Sequence, residues 1–298
     1  MSNRYATPEA FRRALEDRLR AAAAERGQPL NDLRLKVVIE RLLARLFAAP
    51  DPPWLLKGGY AMELRYRPRA RTTRDVDLAI ATDALAGELA GLLAQVREEL
   101  QAAVSTDPGD FFEFRIGTPR GDVAGAPLGG GRFPIEARLA GREYARFHLD
   151  VGFGDAVIGA AERLVGEDHL AFAGVTPGIA LAISRAQQLA EKAHAYTFPW
   201  DDRTNTRTKD LVDMILLIER GALDPGESTA ALRATFDTRG THALPPELPR
   251  PPAVWQDDFA ALATEVGLST TDLAVAFERV AAFWRGMLKE TSGAGSAD

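Results

Sequence analysis

Three aspartates have the residue type and spacing for phosphoryl chemistry. Asp75 and Asp77 sit two apart in RDVDLAI, where Val76, Leu78 and Ile80 alternate with Asp75, Asp77 and Ala79, the period of a half-buried strand. Both carboxylates therefore leave one face of that strand. Like charges at neighbouring same-face positions destabilise a strand unless a cation neutralises them, and oxygen ligands without His or Cys favour Mg²⁺. A third candidate is Asp150 in FHLDVGF, where Leu149 and Val151 face inward and Asp150 faces away with His148. Three such carboxylates could hold two Mg²⁺ ions, one at an attacking hydroxyl and one at a nucleoside triphosphate, clamping both oxygens of an in-line displacement. Asp150 is then the candidate general base or metal-bridging acid.

Gly58 and Gly59 lie 16 residues before Asp75, after the apolar run Trp54-Leu55-Leu56. At a strand-to-helix turn, glycines let backbone N–H groups approach a phosphate, and the helix N-terminus adds positive potential. Lys57 would help hold the same anion. Further along, Arg185, Gln188, Lys192 and Tyr196 make one polar stripe on an apolar helix, with Lys192 the strongest candidate in it. Lys209 and Asp213 share a helix face with Arg220, and Asp210 lies nearby. Simple salt bridging of Lys209 to Asp213 across one helical turn of a solvated face is the plainer reading of that group. Arg65, Arg67, Arg69, Arg71 and Arg74 fall beside the proposed site, and Arg203, Arg207 and Lys209 form a second basic cluster. Either a polyanion docks there, or the arginines are a solvated rim paired with surface acids.

The elements that must position these groups follow from periodicity. Thr7-Pro8-Glu9 is an N-cap signal, and Phe11, Leu15 and Leu19 continue it into a helix over 8–25. A second amphipathic helix carries Leu35, Val38, Ile39, Leu42 and Leu46 and stops before Pro50. A short helix is expected after Gly59, a long one over 82–104, and strands at 112–116, 134–139 and 143–151. The glycine-rich segment 117–131 reads as a loop. From 178 the pattern is helical, with candidates at 178–197, 207–221, 227–236, 256–266 and 269–289, and Pro245, Pro246, Pro249, Pro251 and Pro252 stiffen a connector within this half. The expected domains are 1–165 (helical hairpin plus α/β portion) and 166–290 (helical), with a disordered tail at 291–298.

Composition sets the bounds. The chain has 298 residues, 46% of them hydrophobic, enough for a substantial core. It has no cysteine, which excludes disulfides and thiolate metal sites, and its four histidines lack metal-ligand spacing. A net charge of -6 argues against a general nucleic-acid coat, so any polyanion site must be local. No apolar leader or membrane-length apolar run is present, and a cytoplasmic location is expected.

KGGYAMELR, RTTRDVD, AEKAHA and KDLVDMILL together resemble the four ordered motifs of the AbiEii/AbiGii nucleotidyltransferase-like toxins, with the MenT-type members most alike. The resemblance runs from the N-terminal hairpin to the last long helix. It implies an α+β fold: a polymerase-β-like nucleotidyltransferase domain, a mixed sheet with flanking helices, followed by a mainly helical C-terminal domain. By motif it implies triphosphate binding at Lys57, Gly58 and Gly59, metal at Asp75 and Asp77, and completion of the site by Lys192, Lys209, Asp210 and Asp213. It also implies Mg²⁺, a nucleoside triphosphate, transfer to an RNA acceptor such as the 3′ end of tRNA, and a separately encoded AbiEi-like DNA-binding antitoxin. Two departures stand out. Gly59-Tyr60 replaces the Gly-Ser common in nucleotidyltransferases, leaving backbone amides to contact phosphate, and Arg74 stands where a lysine is common.

Three other functions use parts of the same constellation. Nucleotidyl transfer to a protein or small molecule needs the same acids with a different acceptor. A silent scaffold for a partner has no use for three repelling carboxylates, and a metal-dependent hydrolase would want more acids or histidines than these.

Overall fold

The computed structural model describes residues 4–67, 73, 75–80, 88–120, 126–200 and 205–293. Contacts divide the chain into two compact units: one made of 1–64, 72–153 and 163–182, the other of 65–71, 154–162 and 183–298.

The first unit opens with α1 (Pro8–Arg26) and α2 (Leu30–Leu46). Thr7 caps α1 by accepting from the Ala10 N–H at 3.3 Å, Pro8 fits its first turn, and Gly27 ends it in the left-handed conformation. The buried faces of both helices, including Phe11, Leu15, Val38, Ile39 and Leu42, join the core cluster with one side of a sheet.

That sheet has seven strands: β1 (Trp54–Lys57), β2 (Val76–Ile80), β3 (Phe112–Ile116), β4 (Gly130–Leu139), β5 (Arg142–Phe153), β6 (Glu162–Val165) and β7 (Ile179–Ala182). Their spatial order is β3-β4-β5-β2-β1-β7-β6, with β2–β5 and β1–β7 parallel and β1–β2, β3–β4 and β4–β5 antiparallel. The sheet is thus mixed. Between β1 and β2 runs α3 (Gly58–Tyr66), and between β2 and β3 runs α4 (Leu89–Val104), whose buried Leu92, Val96 and Leu100 belong to the same core.

β4 and β5 form the long hairpin of the sheet. Ala140 and Gly141 both have positive φ (54° and 68°), the conformation of a two-residue turn matched to strand twist. The ladder pairs Leu139 with Arg142 and Arg138 with Glu143, then shifts, so that Ala137 meets Ala145. Tyr144 is the residue skipped, and its hydroxyl donates to Glu16 on α1 at 2.8 Å.

The second unit is helical: α5 (Arg185–Thr197), α6 (Thr208–Arg220), α7 (Pro225–Arg239), α8 (Gln256–Val266) and α9 (Leu273–Gly293). Its proline-rich connector is tied down by side chains that donate to its carbonyls, Tyr196 to Pro249 at 2.7 Å and the Trp284 indole to Pro245 at 3.2 Å.

Several expectations are corrected. The helix expected over 178–197 is a strand, β7, followed by a helix from Arg185; Ser184 caps that helix by accepting from the Gln187 N–H at 3.0 Å. β6 was not anticipated. Because β7 pairs with β1, the helical half starts at 183 rather than 166, and the 154–162 stretch is counted with it. The 117–131 segment is not all loop, since Gly130 and Gly131 begin β4 and Arg120 bridges to Arg132. The 82–104 helix starts at Leu89, with 81–87 outside the described residues. The tail expected from 291 continues α9 to Gly293, and 294–298 lie outside the described residues. No described helix is long and apolar enough to cross a membrane.

Candidate active site

Strand register builds one row of charge across the first unit. Lys57 on β1 pairs with Asp77 on β2, Asp77 with Asp150 on β5, and Asp150 with Arg132 on β4; Arg120 bridges to Arg132 at the far side. Directly paired residues share a sheet face, so the row reads basic, acidic, acidic, basic, basic on one side of the sheet. Their neighbours Leu56, Val76, Leu78, Leu149, Val151 and Phe133 point the other way and are buried. Hydrophobic alternation thus forces the charged set together.

Asp77 is held from its second side by the start of α3. Gly58 has φ +67°, and a Cβ built on it would lie 1.9 Å from Asp77 Oδ2 and 2.7 Å from Cγ. Glycine is needed for the backbone turn and for the carboxylate's approach. The helix N-terminus at Gly58 and Gly59 is therefore beside the acidic row, where its N–H groups suit an anion. Tyr60 cannot supply the missing serine hydroxyl to that spot, because it is 1% exposed within the core.

Glu63, also on α3, is a residue the sequence reading passed over. It is buried, takes Lys36 Nζ at 2.7 Å, and accepts the Thr73 backbone N–H at 3.0 Å. That bond ties down the chain two residues before Asp75, which is itself exposed. An acid between the apolar residues Met62 and Leu64 of KGGYAMELR is the signal that marks it.

Arg132 is the second missed residue. Its Nε and Nη2 donate to the two oxygens of Asp150 at 2.8 and 2.6 Å, a bidentate pair, while its side chain stays half exposed and Asp150 is 8% exposed. The hydrogen bonds and charge of Asp150, then the charges of Asp75 and Asp77, hold the Arg132 guanidinium firmly protonated. All three carboxylates therefore act on one cation.

The donor set fits a hard divalent ion: aspartate oxygens, no thiol and no imidazole in the row, and a glycine that leaves Asp77 Oδ2 room. Among the described residues, no group of three or more His, Cys, Asp or Glu is already gathered for a metal. Asp75 is exposed, Asp77 lies against Gly58, and Asp150 is engaged by Arg132.

The second unit carries its own buried charge cluster. Lys192 Nζ on α5 lies 2.8 Å from Asp210 Oδ1 and 2.9 Å from Asp213 Oδ2 on α6, with Asp213 only 2% exposed. The solvated-face reading of α6 is corrected here: Asp210 and Asp213 are buried and face Lys192, whereas Lys209 is exposed. Arg207 is exposed, 3.5 Å from Asp210 and 5.3 Å above the Trp200 ring.

Arg65 does not belong to a basic rim. Its side chain is 1% exposed, pairs with Glu162 at 2.6 Å, and donates to Gln188 Oε1 at 3.2 Å and to the Ile183 carbonyl, all within the second unit. Burial lowers its affinity for the proton, partly offset by Glu162. Arg67 is half-buried. Arg69, Arg71, Arg74 and Arg203 lie outside the described residues.

A mixed sheet flanked by helices, with strand-borne aspartates beside a glycine-led helix start and a helical C-terminal region, is the fold of a nucleotidyltransferase. The family model described as "Nucleotidyl transferase AbiEii toxin, Type IV TA system" matches residues 41–285, and the chain belongs to that family. Among solved structures it is similar to MenT4, a nucleotidyltransferase toxin from Mycobacterium tuberculosis H37Rv, at TM-score 0.58 and 18% identity, covering 92% of this chain and 89% of that one. It also matches an antigenic nucleotidyltransferase-like protein from Paracoccidioides brasiliensis at TM-score 0.34 and 20% identity, over 70% of this chain and 89% of that one. No curated protein matches by sequence.

Proposed function

We propose that this protein transfers a nucleotide from a nucleoside triphosphate to an RNA acceptor, the 3′ end of tRNA, in the cytoplasm, as the toxin of a pair with a separately encoded AbiEi-like antitoxin. The observation that carries the catalytic part is the register row Lys57–Asp77–Asp150–Arg132 with Gly58 packed against Asp77.

In this reading Lys57 and the N–H groups at Gly58 and Gly59 receive the triphosphate. Asp75 and Asp77 would hold Mg²⁺, which would neutralise phosphate charge and acidify the attacking hydroxyl. An acceptor oxygen forms the new bond to the α-phosphorus, the bond to the bridging β-phosphate oxygen breaks, and pyrophosphate leaves with that electron pair. Asp150 accepts the hydroxyl proton on a lone pair left by the Arg132 contact, whose positive charge opposes that uptake. Lys192, Lys209, Asp210 and Asp213 are proposed as nucleotide-handling residues on their resemblance to the family motifs, and Arg67, Arg69, Arg71, Arg74, Arg203 and Arg207 as RNA contacts.

The test is incubation of the purified protein with Mg²⁺, total tRNA and each of four α-³²P nucleoside triphosphates separately, beside Asp75→Ala and Asp77→Asn. Label on tRNA from the intact protein alone is the expected result and identifies the nucleotide. Label on protein, or on nothing, overturns the RNA acceptor. The antitoxin is tested by co-expressing the neighbouring reading frame, with growth rescue expected.

A further inference from the structure

We infer that the solvent face of β3, β4 and β5 is the docking track for the single-stranded end of the acceptor, with Arg97, Arg115, Arg120 and Arg146 taking its phosphates. The inference rests on the reading of this protein as an RNA-directed nucleotidyltransferase.

These strands are two-faced. Phe112, Phe114, Ile116, Phe133, Ile135 and Phe147 fill the core, and the residues between them face outward. Register arranges the outward set in parallel rows. Arg115, Glu136 and Arg146 are paired across β3, β4 and β5; Pro134 and His148 form the next row; Arg120, Arg132 and Asp150 form the row that continues into Asp77 and Lys57. Four residues separate the first of these rows from the last along β4 and β5, about 14 Å at about 3.4 Å per residue.

A groove of about 660 Å³ on this face, reaching α4 at its edge, is lined by Arg97 of α4 and by Arg115, Arg120, Arg146 and His148, with Glu136 the one acid among the described residues that line it. Glu136 is already neutralised, at 2.8 Å from Arg138 and 3.5 Å from Arg146, and its carboxyl is held below the usual range first by the Arg138 hydrogen bond. Arg146 also meets Glu143 at 2.7 Å, and Arg97 spends one N–H on the Ile116 carbonyl at 3.2 Å. Even so the groove keeps a surplus of positive charge in a chain whose net charge is -6. Such local surplus is the footprint of a polyanion site.

The chemistry favours a nucleic-acid strand. A groove of cations that tracks a backbone is how single strands are held without reading sequence, and exposed His148 offers a flat ring on which an unpaired base can stack. A membrane would need exposed apolar anchors, yet among the described residues the large exposed hydrophobics, Leu128, Val157, Val165, Ile179, Val254 and Val275, all lie outside this groove. Because the rows follow one another along β4 and β5 and the last holds Asp150 and Asp77, a strand that crosses them delivers its end to the acidic row.

The experiment measures fluorescence anisotropy of a 5′-labelled single-stranded RNA oligonucleotide, without nucleotide, against the full-length protein over a salt series. Arg115→Glu/Arg120→Glu and Arg120→Ala are compared with wild type; both arginines are exposed, and unchanged thermal melts confirm folding. The double reversal should weaken binding roughly tenfold or more, and each lost phosphate contact should flatten the slope of log K against log salt by about 0.7. Binding equal to wild type in both variants overturns the track. In a parallel arm, wild-type protein is given α-³²P nucleoside triphosphates and the same RNA. Labelling with unaffected variant binding removes the track alone; no labelling with impaired variant binding removes the transfer reading alone.

Discussion

Gly58 stands so close to the Asp77 carboxylate that a Cβ on it would force that side chain to move, which couples the helix start to the acidic strand. Gly58→Ala must accommodate both a Cβ at 1.9 Å from Asp77 Oδ2 and a φ of +67°, the latter alone costing about 1–2 kcal/mol. The expected outcome is a small loss of thermal stability and a fall in nucleotide incorporation of roughly a hundredfold or more, since a misplacement of about 1 Å is enough for that. An active Gly58→Ala protein would show that the junction does not position Asp77.

Arg132 donates to both oxygens of Asp150, the same atoms that a divalent cation would need there. Removing the arginine frees two carboxylate oxygens and leaves three acids with less counter-charge, so Arg132→Ala should melt lower than wild type without metal and gain more from added Mg²⁺. Arg132→Lys should fall between, because an ammonium cannot make the bidentate pair. Thermal melts across a Mg²⁺ titration check this; equal metal-induced gains in all three proteins would mean that Asp150 is not contested.

Lys192 is the cation between two buried aspartates. Lys192→Met removes the buried cation that Asp210 and Asp213 share, leaving Asp210 with the exposed Arg207 at 3.5 Å, and removing one partner of a buried pair costs about 3–5 kcal/mol. Adding Asp213→Asn should recover part of that loss, so the double variant is expected to be more stable than Lys192→Met alone. Urea unfolding of the four proteins in the cycle measures the coupling.

Burial first, then the charges of Arg239 and His242, push the His194 imidazole down to about 3, against 6.5 ordinarily. Below about pH 6.5 the unfolded chain takes up a proton that the folded protein refuses, so the stability present above that pH is lost as the pH falls toward 3. Burial pushes His242 in the same direction. Between pH 7 and 5 this group alone contributes a slope of up to about 1.4 kcal/mol per pH unit. Urea denaturation of His194→Gln should show a flatter pH dependence there, and matching slopes would sink the assignment.

How much of this was readable beforehand depends on the range of the interaction. The strand through Asp77, α1, α2 and the Gly58 turn are local patterns, set by alternation, capping and breakers, and they form where those patterns lie, except that the strand starts at Val76 and leaves Asp75 just before it. The Arg132–Asp150 pair was not readable for a specific reason. Counting back from the turn at Ala140 and Gly141 sets Arg132 opposite Leu149; only the bulge at Tyr144 slips the ladder by one residue and brings Asp150 across. Arg65 was misjudged because its partner, Glu162, lies 97 residues away. The strand at Ile179–Ala182 was absorbed into a helix because a short apolar run is ambiguous in period, although Ser184 followed by Gln187 three residues later announces a helix start after it.

The two compact units are interleaved along the chain, each assembled from three separate segments. No single cut releases either one whole: ending the chain at 165 removes β7, a strand paired with β1, and starting it at 183 discards 65–71 and 154–162. The sheet of the first unit therefore cannot be completed until the chain through residue 182 exists, and two of the other unit's three segments precede that point.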